Sequence, residues 1–545
     1  MVTSMTTAGQ TPDPHESLGE AEREFRPRRA PHAPFERLIE AAGEHSSWAG
    51  TPAEPGEDYV TGVCLDSRAV QEGDLYAALP GARTHGAGFA QAALQRGARA
   101  VLTDAAGLEL LGCLPVPVLL TEDPRAVLGA VSAAVYQSAS HAPITFAVTG
   151  TNGKTTTTYL LRSLLQALGL TTGLIGTIEI LAGDTPIPSV LTTPEAPQLH
   201  ALMARMAESG VSHAAMEVSS HSLEFRRIAG LRFAVSGFTN LTQDHLDLHG
   251  GMEGYFHAKA ALFTPEYSDR AVITVDQEWG LRMAAEAGVP AVTLLTRPAA
   301  PGESADWSVL GLRREGLGHL LELRHRDGRG LRAVTQLPGD FNVSNAALAL
   351  AMLLESGVEL GDLQAALDSE ASPLTPSVPG RMQVVHTHPT AIVDFAHNPD
   401  ALVRALESVA TPDGKTIVVF GATGERDTSK RPIMGALAAR HADVVIVTDD
   451  DPHGEAPEGI RAQVMAGAVA EADAQTMVVE VAPRAAAIAH AARLAGPNDV
   501  VLVAGRGHEV WQEVAGVNLA LDDREELRKA FANTVTPGAA APATE

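Results

Sequence analysis

The sequence predicts an α/β protein with three domains. Short apolar runs alternate with helix-patterned segments along most of its 545 residues, which is typical of parallel sheets joined by right-handed crossovers. This length, with 45% hydrophobic residues, suffices for about three domains that each bury a core. One apolar run ends in a glycine-rich segment that opens a helical pattern, as in phosphate-binding loops.

The first domain is predicted over residues 34–141 as a small α/β unit, with a helical pattern at Phe89–Arg96. Its predicted strands are Tyr59–Leu65, Leu75–Leu79, Ala98–Leu102 and Val116–Leu120. Residues 1–33 are rich in Pro, Glu and Arg, and residues 536–545 are rich in Pro and Ala. Because both segments lack hydrophobic periodicity, we expect them to be disordered tails.

The second domain is predicted over residues 142–376 around a mainly parallel sheet that carries the glycine-rich segment. Its predicted strands are Ile144–Val148, Ala214–Val218, Ala234–Phe238 and Ala271–Val275. The segment Pro373–Gly380 is interpreted as a linker to a third, Rossmann-like domain over residues 377–535. The predicted strands of that domain are Thr416–Phe420, Val444–Val447, Met477–Val481 and Val500–Val503.

The composition disfavours several classes of protein. A formal net charge of −26 argues against a nucleic-acid or anionic-membrane surface, which needs a basic footprint. No apolar run has the length of a membrane span and no secretory signal pattern occurs, so we expect a cytoplasmic protein without membrane insertion. Cys64 and Cys113 are too few for a disulfide framework and are expected to be packing residues.

The glycine-rich segment lies between the apolar run Ile144–Val148 and the helical pattern Thr157–Leu168. Its residues are Gly150, Thr151, Asn152, Gly153, Lys154, Thr155 and Thr156. A helix N-terminus suits the phosphates of ATP; Lys154 would neutralise the β- and γ-phosphates, and Thr155 would offer its hydroxyl to Mg²⁺. The segment is one residue short of the common GxxxxGK[ST] pattern, and the alternative is a glycine-rich turn.

Two further candidate residues follow predicted strands of the same domain. Glu217 ends one strand and is a candidate Mg²⁺ ligand, and His245 lies beyond the next. Taken singly, a solvated carboxylate and a structural histidine are the better explanations. Because ligands bind at the carboxyl ends of parallel strands, their joint placement favours a shared site. Lys259 lies on a helical pattern, where a solvated lysine is the usual finding.

With these motifs the chain resembles the ATP-dependent Mur ligases of peptidoglycan synthesis, in particular those that add the third amino acid to UDP-N-acetylmuramoyl-L-alanyl-D-glutamate. The matching stretches are GTNGKTTT (150–157), LTTPE (191–195), MEVSSHSL (216–223), FTNLTQDHLDLHG (238–250), YFHAKAALF (255–263), GDFNVSNAALA (339–349), DFAHNPD (394–400), GERDTSKRP (424–432) and GRGHE (505–509). The resemblance covers nearly the whole chain.

The resemblance implies the roles of residues around ATP. Lys154, Glu217, His245 and Lys259 form the implied catalytic set. Lys259 is implied to be carbamylated by CO₂ and, with Thr155, Glu217 and His245, to organise Mg²⁺, because a carbamate gives a hard metal an oxygen ligand. Asn345, Arg381 and Asp394 match positions that hold adenine, phosphate and ribose respectively.

The resemblance also implies where the nucleotide-sugar binds. Ser67 matches a contact on the uridine side, and contacts to the muramoyl dipeptide match Thr192, Thr193, Ser219 and Arg227. One departure is His85-Gly86-Ala87, where the family usually has Asp-Gly-His. This departure weakens any role for that loop.

The implied reaction transfers the γ-phosphoryl group of ATP to the D-glutamyl carboxylate, and the amine of an amino acid then attacks the acyl phosphate. The sequence identifies no base for that amine. Rival hypotheses are a related amide ligase, such as folylpolyglutamate synthase or the D-alanyl-D-alanine-adding Mur ligase, and a non-catalytic nucleotide-binding protein. The joint presence of Glu217, His245 and Lys259 argues against the last.

The amino acid is predicted from Asp450-Asp451-Pro452-His453, which aligns with Asp-Asn-Pro-Arg in relatives that use meso-diaminopimelate. Arg426, Gly505 and Glu509 match the other residues of that pocket. An added anion and a lost arginine would repel a distal carboxylate and accept an ammonium. We therefore predict L-lysine as substrate, with L-ornithine second and meso-diaminopimelate third.

Overall fold

The computed structural model describes residues 22–50, 58–188, 191–243, 249–370 and 372–534. Within these ranges the chain forms three α/β units in sequence, each around its own sheet. The predicted fold class is therefore confirmed, whereas the domain boundaries remain predictions. No helix of the described part is long and apolar enough to cross a membrane.

The N-terminal unit has a five-stranded sheet in the order β2-β7-β6-β5-β4, beside the two-stranded pair β1-β3. The strands are β1 Ala33–Pro34, β2 Ser47–Gly50, β3 Tyr59–Val60, β4 Gly62–Cys64, β5 Asp74–Ala77, β6 Ala100–Thr103 and β7 Pro117–Leu120. The helices are Phe35–Ala42, Ala90–Gln95, Ala105–Leu111, Pro124–Tyr136 and Ser138–His141, with a 3₁₀ turn at Gly86–Phe89. Helix Pro124–Tyr136 begins with a proline behind Asp123, whose side chain caps Ala126 N–H.

The expectation of a disordered segment up to residue 33 is wrong for residues 22–33. Phe25 is buried, and the Arg26 guanidinium forms two hydrogen bonds with the fully buried carboxylate of Asp74. Because a buried carboxylate depends on its cationic partner, the Arg26–Asp74 pair holds this segment on the N-terminal unit. A composition average over the segment hides both features.

The central unit has an eleven-stranded sheet in the order β11-β10-β9-β12-β8-β13-β14-β15-β16-β17-β18. Its strands are β8 Ile144–Thr149, β9 Thr172–Ile175, β10 Ile180–Ala182, β11 Thr185–Ile187, β12 His213–Glu217, β13 Val235–Phe238, β14 Ala271–Thr274, β15 Ala291–Leu295, β16 Trp307–Glu315, β17 Gly318–His325 and β18 Gly330–Thr335. The strands from β9 to β16 along this order pair in parallel, and antiparallel hairpins extend both edges.

The helices of the central unit cover both faces of this sheet. They are Lys154–Ala167, Ala196–Glu208, Ser220–Glu224, Met252–Ala260, Glu278–Glu286, Asp340–Glu355 and Leu360–Leu367, with a 3₁₀ turn at Ala261–Phe263. Helix Asp340–Glu355 is buried along nearly its whole length and packs against helix Lys154–Ala167, which follows the glycine-rich segment. This packing fixes the helix N-terminus that faces the site.

The C-terminal unit has a six-stranded sheet in the order β19-β20-β24-β21-β22-β23, parallel except for β19, and a separate hairpin β25-β26. Its strands are β19 Gln383–Thr387, β20 Thr390–Asp394, β21 Thr416–Phe420, β22 Val444–Val447, β23 Met477–Glu480, β24 Val500–Ala504, β25 Trp511–Val514 and β26 Val517–Ala520. Its helices are Pro399–Val409, Lys430–His441, Pro457–Glu471, Arg484–Leu494 and Asp523–Thr534.

A buried ion pair joins the last two helices of the C-terminal unit. Arg484 and Asp523 are almost fully buried, and the guanidinium donates to both carboxylate oxygens at 2.8 and 2.7 Å. Because Asp523→Ala leaves the arginine buried without its anion, we expect the free energy of unfolding to fall by about 3–5 kcal/mol. Urea denaturation measures this loss.

The matched control is Glu525→Ala on the same helix. Glu525 pairs with Arg528 at the surface, and an exposed pair contributes less than about 1 kcal/mol. Equal losses for Asp523→Ala and the control would contradict the assigned weight of the buried pair.

Candidate active site

The glycine-rich segment forms a tight loop between β8 and helix Lys154–Ala167. Gly150 and Gly153 have φ angles of 146° and 93°, and a Cβ atom at either would collide with Thr239 or Asn345 respectively. Lys154 folds back over the loop, where its Nζ donates to the carbonyls of Gly150 and Thr151 at 2.8 and 2.9 Å. The loop therefore presents a lysine and a helix N-terminus to one concavity, as phosphate binding requires.

The loop is held from behind by the end of β13. Asn240 exchanges hydrogen bonds with the backbone of Asn152, accepting at 3.0 Å and donating at 3.1 Å. Thr239 also donates to the Asn152 carbonyl, at 2.7 Å. Both residues lie in the FTNLTQDH stretch, but no local pattern in the sequence predicts this support.

Glu217 ends β12 beside the loop, as predicted, and it is buried rather than solvated. Its carboxylate accepts hydrogen bonds from the Thr155 hydroxyl at 3.0 Å and from the backbone N–H and hydroxyl of Thr177 at 2.8 and 3.1 Å. Thr177 was not identified from the sequence, because the short strand before it was not recognised. A hydroxyl and a carboxylate side by side form an oxygen donor set that suits Mg²⁺.

Lys259 is also buried, which excludes a solvated surface lysine. Its Nζ donates to the Gly150 carbonyl at 3.0 Å and lies 4.4 Å from the centroid of the Tyr255 ring. The predicted residues Lys154, Glu217 and Lys259 thus surround one loop. His245 lies outside the described residues, and within the described part no three His, Cys, Asp or Glu side chains form a metal cluster.

A cleft with an empty volume of about 1130 Å³ separates the loop from the C-terminal unit. The three predicted nucleotide residues Asn345, Arg381 and Asp394 line it. Asp394 accepts backbone hydrogen bonds from Met382 and Ala396, at 2.7 and 2.9 Å, and burial raises the pKa of its carboxyl group. A cleft between two units, lined by the phosphate-binding loop on one side, is a position where ligands commonly bind.

The C-terminal unit also contacts the loop directly. The Asn152 side chain donates to Asp400 across the cleft at 3.3 Å, and Asp400 accepts a second hydrogen bond from Arg404. The phosphate-binding loop, which belongs to the central unit, therefore also contacts the C-terminal unit.

The four residues predicted for the muramoyl dipeptide form one cluster. The Thr193 hydroxyl donates a hydrogen bond to the backbone carbonyl of Glu217 at 2.9 Å and accepts one from the Ser219 N–H at 3.3 Å. Arg227 donates to the Thr193 carbonyl at 3.3 Å. The Thr192 hydroxyl accepts from Thr177 at 3.1 Å. This arrangement places the cluster directly beside Glu217.

The other predicted contact, Ser67, is buried in the loop between β4 and β5 of the N-terminal unit. Glu195, which was not predicted, links the two units. It lies 2.8 Å from Arg227 Nε and accepts from Arg125 of the N-terminal unit at 2.6 Å. In the sequence, the position of Glu195 in the LTTPE stretch is the feature that indicates a role for it.

The departure at His85 has a structural explanation. Its Nδ1 accepts the Ala87 N–H at 3.0 Å, and its Nε2 lies 3.1 Å from Asp104 Oδ1. His85 therefore caps a 3₁₀ turn and fixes it to the neighbouring helix.

Residues predicted for the amino acid lie at the carboxyl edge of the C-terminal sheet. A Cβ atom at Gly505 would lie 2.6 Å from an Asp450 oxygen, so glycine is needed beside this carboxylate. Burial, and next the nearby Asp450, raise the pKa of Glu509 to about 7. Arg426 is exposed on the loop after β21.

The charges around Asp451 differ from those that the sequence predicts. Asp451 forms an ion pair with Arg506, whose side chain is fully buried, so the added anion is balanced within the protein. His453 binds Glu513 of β25 through Nδ1, at 2.9 Å. Arg506 and Glu513 lie more than 50 positions from these residues in sequence, so no local pattern predicts either contact. The pocket has therefore gained less negative charge than the sequence suggests.

Comparisons with known proteins identify the same family in each of the three units. Three family models match in order: the Mur ligase family catalytic domain over residues 59–138, the Mur ligase middle domain over 148–353, and the Mur ligase glutamate ligase domain over 380–507. The UDP-N-acetylmuramyl-tripeptide synthetase of Leifsonia xyli subsp. xyli is 44% identical over 478 residues, covering 87% of this chain and 91% of that protein.

Two further relatives are named for one amino acid. The UDP-N-acetylmuramoyl-L-alanyl-D-glutamate–2,6-diaminopimelate ligase of Streptomyces coelicolor is 44% identical, covering 89% of this chain and 95% of that protein. A solved structure of a ligase with the same name has a TM-score of 0.64 at 30% identity, and the match covers 92% and 99% of the two chains. The MurF ligase of Thermotoga maritima, solved with ADP, shares the fold at 18% identity and a TM-score of 0.57, covering 87% and 97%.

The fold, the phosphate-binding loop and these matches define an ATP-dependent ligase that forms a carbon–nitrogen bond. The chain belongs to the Mur ligase family, whose members act in cell-wall synthesis. The rival hypothesis of a non-catalytic nucleotide-binding protein is thereby set aside.

Glu509 supplies a pH-dependent test of the charges at the proposed amino-acid site. Because its pKa in the folded protein is about 7 and its ordinary value is 4.5, its contribution to stability is fully present below about pH 4.5 and is lost as the pH rises through about 7. We expect Glu509→Gln to become progressively more stable than the unmodified protein from about pH 5 to about pH 8.

Urea denaturation of both proteins at several pH values measures this difference. A difference in free energy of unfolding that stays constant with pH would show that Glu509 titrates normally.

Proposed function

We propose that this ligase adds the third amino acid to UDP-N-acetylmuramoyl-L-alanyl-D-glutamate. The names of the relatives that match over most of their length support this substrate. So does the dipeptide cluster of Thr192, Thr193, Ser219 and Arg227 beside the phosphate-binding loop.

One observation carries the proposal, namely that Glu217 contacts both the phosphate-binding loop and the dipeptide cluster. Its carboxylate binds Thr155 of the phosphate-binding loop, whereas its backbone carbonyl binds Thr193 of the dipeptide cluster. A phosphoryl donor on the loop and an acceptor carboxylate at the cluster would thus meet at this residue. Such fixed proximity is the main contribution a protein makes to phosphoryl transfer.

In the proposed reaction the D-glutamyl carboxylate attacks the γ-phosphorus of ATP, and ADP leaves. The amine of the incoming amino acid attacks the resulting acyl phosphate and expels inorganic phosphate. Lys154 is held where it can stabilise negative charge on the transferring group. Asn345, Arg381 and Asp394 would bind the nucleotide in the cleft.

Thr155 and Glu217 would hold Mg²⁺, with His245 and a carbamylated Lys259 as further proposed partners. The paired hydroxyl and carboxylate oxygens fit this ion. When bound, Mg²⁺ supplies positive charge beside the phosphates. The burial of Lys259 against the loop is consistent with carbamylation, which would replace an ammonium by an anionic oxygen group.

A phosphate-release assay tests the proposed function. We expect release from ATP to need both UDP-N-acetylmuramoyl-L-alanyl-D-glutamate and an added amino acid. Release with a folate substrate, or with a nucleotide tripeptide and D-alanyl-D-alanine, would instead identify another amide ligase.

We predict that Lys259→Ala loses nearly all ligase activity, because the substitution removes the carbamate oxygens that would help to hold Mg²⁺. Short carboxylic acids should restore part of the rate in this variant. Failure of rescue, with the fold and ATP affinity intact, would count against the carbamate. Lys259→Arg with activity close to that of the unmodified enzyme would exclude it.

For the amino acid we propose meso-diaminopimelate as the first candidate, because several relatives at 43–44% identity carry it in their names. The Arg506–Asp451 pair removes part of the objection to its distal carboxylate. Asp450 and Glu509 would receive the distal ammonium. L-Lysine is the second candidate, favoured by His453 in place of arginine and by the engagement of His453 with Glu513. L-Ornithine is the third.

Comparing kcat/KM for the three amino acids at fixed ATP and nucleotide-sugar decides between them. If meso-diaminopimelate is the substrate, we expect its kcat/KM to exceed that of L-lysine by about a hundredfold or more, since an unpaired charge in a desolvated pocket costs a few kcal/mol. The reverse order would restore the lysine hypothesis. Under that hypothesis His453→Arg should move the ratio toward meso-diaminopimelate.

A further inference from the structure

Residues 22–34, here called the N-terminal arm, cross from the N-terminal unit to the central unit. On the N-terminal unit, Arg26 donates to the two carboxylate oxygens of Asp74 at 2.6 and 2.8 Å. The Arg26 side chain is 10% exposed and that of Asp74 is 0% exposed. A carboxylate so deeply buried depends on its cation. The arm is therefore an integral part of this unit.

Asp74 lies under the loop that carries Ser67. It begins β5, pairs with Gly62 at the start of β4 and accepts the Gln71 N–H at 2.8 Å, so it holds the C-terminal end of the connection between the two strands. A Cβ atom at Gly62 would lie 2.5 Å from both Arg26 and Asp74, which shows how closely the pair packs there. The shape of the proposed uridine loop thus depends on Arg26.

The arm is attached at its other side to helix Ala196–Glu208 of the central unit. The Glu208 carboxylate accepts the backbone N–H groups of Arg28 and Arg29, at 2.6 and 3.0 Å. Gln198 donates to Glu22 at 2.8 Å, and Arg205 lies 3.3 Å from Glu24. These contacts span the whole length of the helix.

The same helix leads to the dipeptide cluster. Its N-cap is Glu195, which binds Arg227 of the cluster and Arg125 of the N-terminal unit. Helix Pro124–Tyr136 also packs on helix Ala196–Glu208. The arm therefore adds contacts along this helix to the existing contact between the two units, and it opposes rotation of one unit against the other.

We propose that the N-terminal arm sets the separation between the uridine loop and the dipeptide cluster, with Arg26 and Glu208 as positioning residues for the nucleotide-sugar. The inference rests on the proposed substrate, which must reach both sites at once. A ligand held at two points binds tightly only when their spacing matches its length. A fragment that reaches one point is insensitive to the spacing.

The test compares the binding of UDP with that of UDP-N-acetylmuramoyl-L-alanyl-D-glutamate by calorimetry on the full chain. Glu208→Ala removes the exposed side of the attachment without touching either site. We expect its affinity for the whole substrate to fall by about fivefold while its affinity for UDP stays within about twofold. In the ligase assay KM for the nucleotide-sugar should rise and kcat should remain.

Arg23→Ala is the matched control, because Arg23 is an exposed arginine of the same arm, and it should behave as the unmodified enzyme. Arg26→Ala should lower the affinity for both UDP and the whole substrate, since it disturbs the uridine loop itself. Arg26→Lys should restore part of both affinities. If Arg26→Ala does not fold, Glu208→Ala still decides.

Equal affinities of Glu208→Ala and the unmodified enzyme for both probes would overturn the inference, as would equal losses for both probes. If the unmodified enzyme fails to bind the nucleotide-sugar, the proposed function fails instead. The two failures are therefore distinguishable.

Discussion

The site depends most on the buried carboxylate of Glu217. Three hydrogen bonds from Thr155 and Thr177 hold it at the point where β12 runs beside β8. A buried carboxylate is tolerated only when its oxygens are satisfied, so the two strands and the phosphate-binding loop must keep their register for it to remain there. The geometry of the loop, of the dipeptide cluster and of the proposed metal site all follow from this one requirement.

The sequence predicts this part of the protein well because local patterns encode it. The apolar strands, the glycines at positive φ and the helix that follows are all contiguous signals, and they predict Lys154 at the start of a helix and Glu217 at the end of a strand, where the structure has them. The family resemblance adds Lys259, whose burial no local pattern indicates.

What the sequence does not predict is made by contacts between distant residues. Thr177, Glu195 and Arg506 gain their roles from partners that lie 40, 32 and 55 positions away. The average composition of residues 22–33 predicts disorder, whereas two single residues, Phe25 and Arg26, hold this segment on the N-terminal unit. The antiparallel hairpins at the edges of the central sheet also lack a signal that distinguishes them from loops.

The ion pair between Asp451 and Arg506 restricts how the amino-acid site can change during evolution. Replacing Asp451 by a neutral residue still leaves an anion near Arg506, because a Glu509 carboxylate oxygen lies 3.9 Å from the guanidinium. Replacing Arg506 would instead leave Asp451 without its cationic partner. A change of charge at this loop is therefore expected to occur at residue 451 while the arginine at 506 is retained.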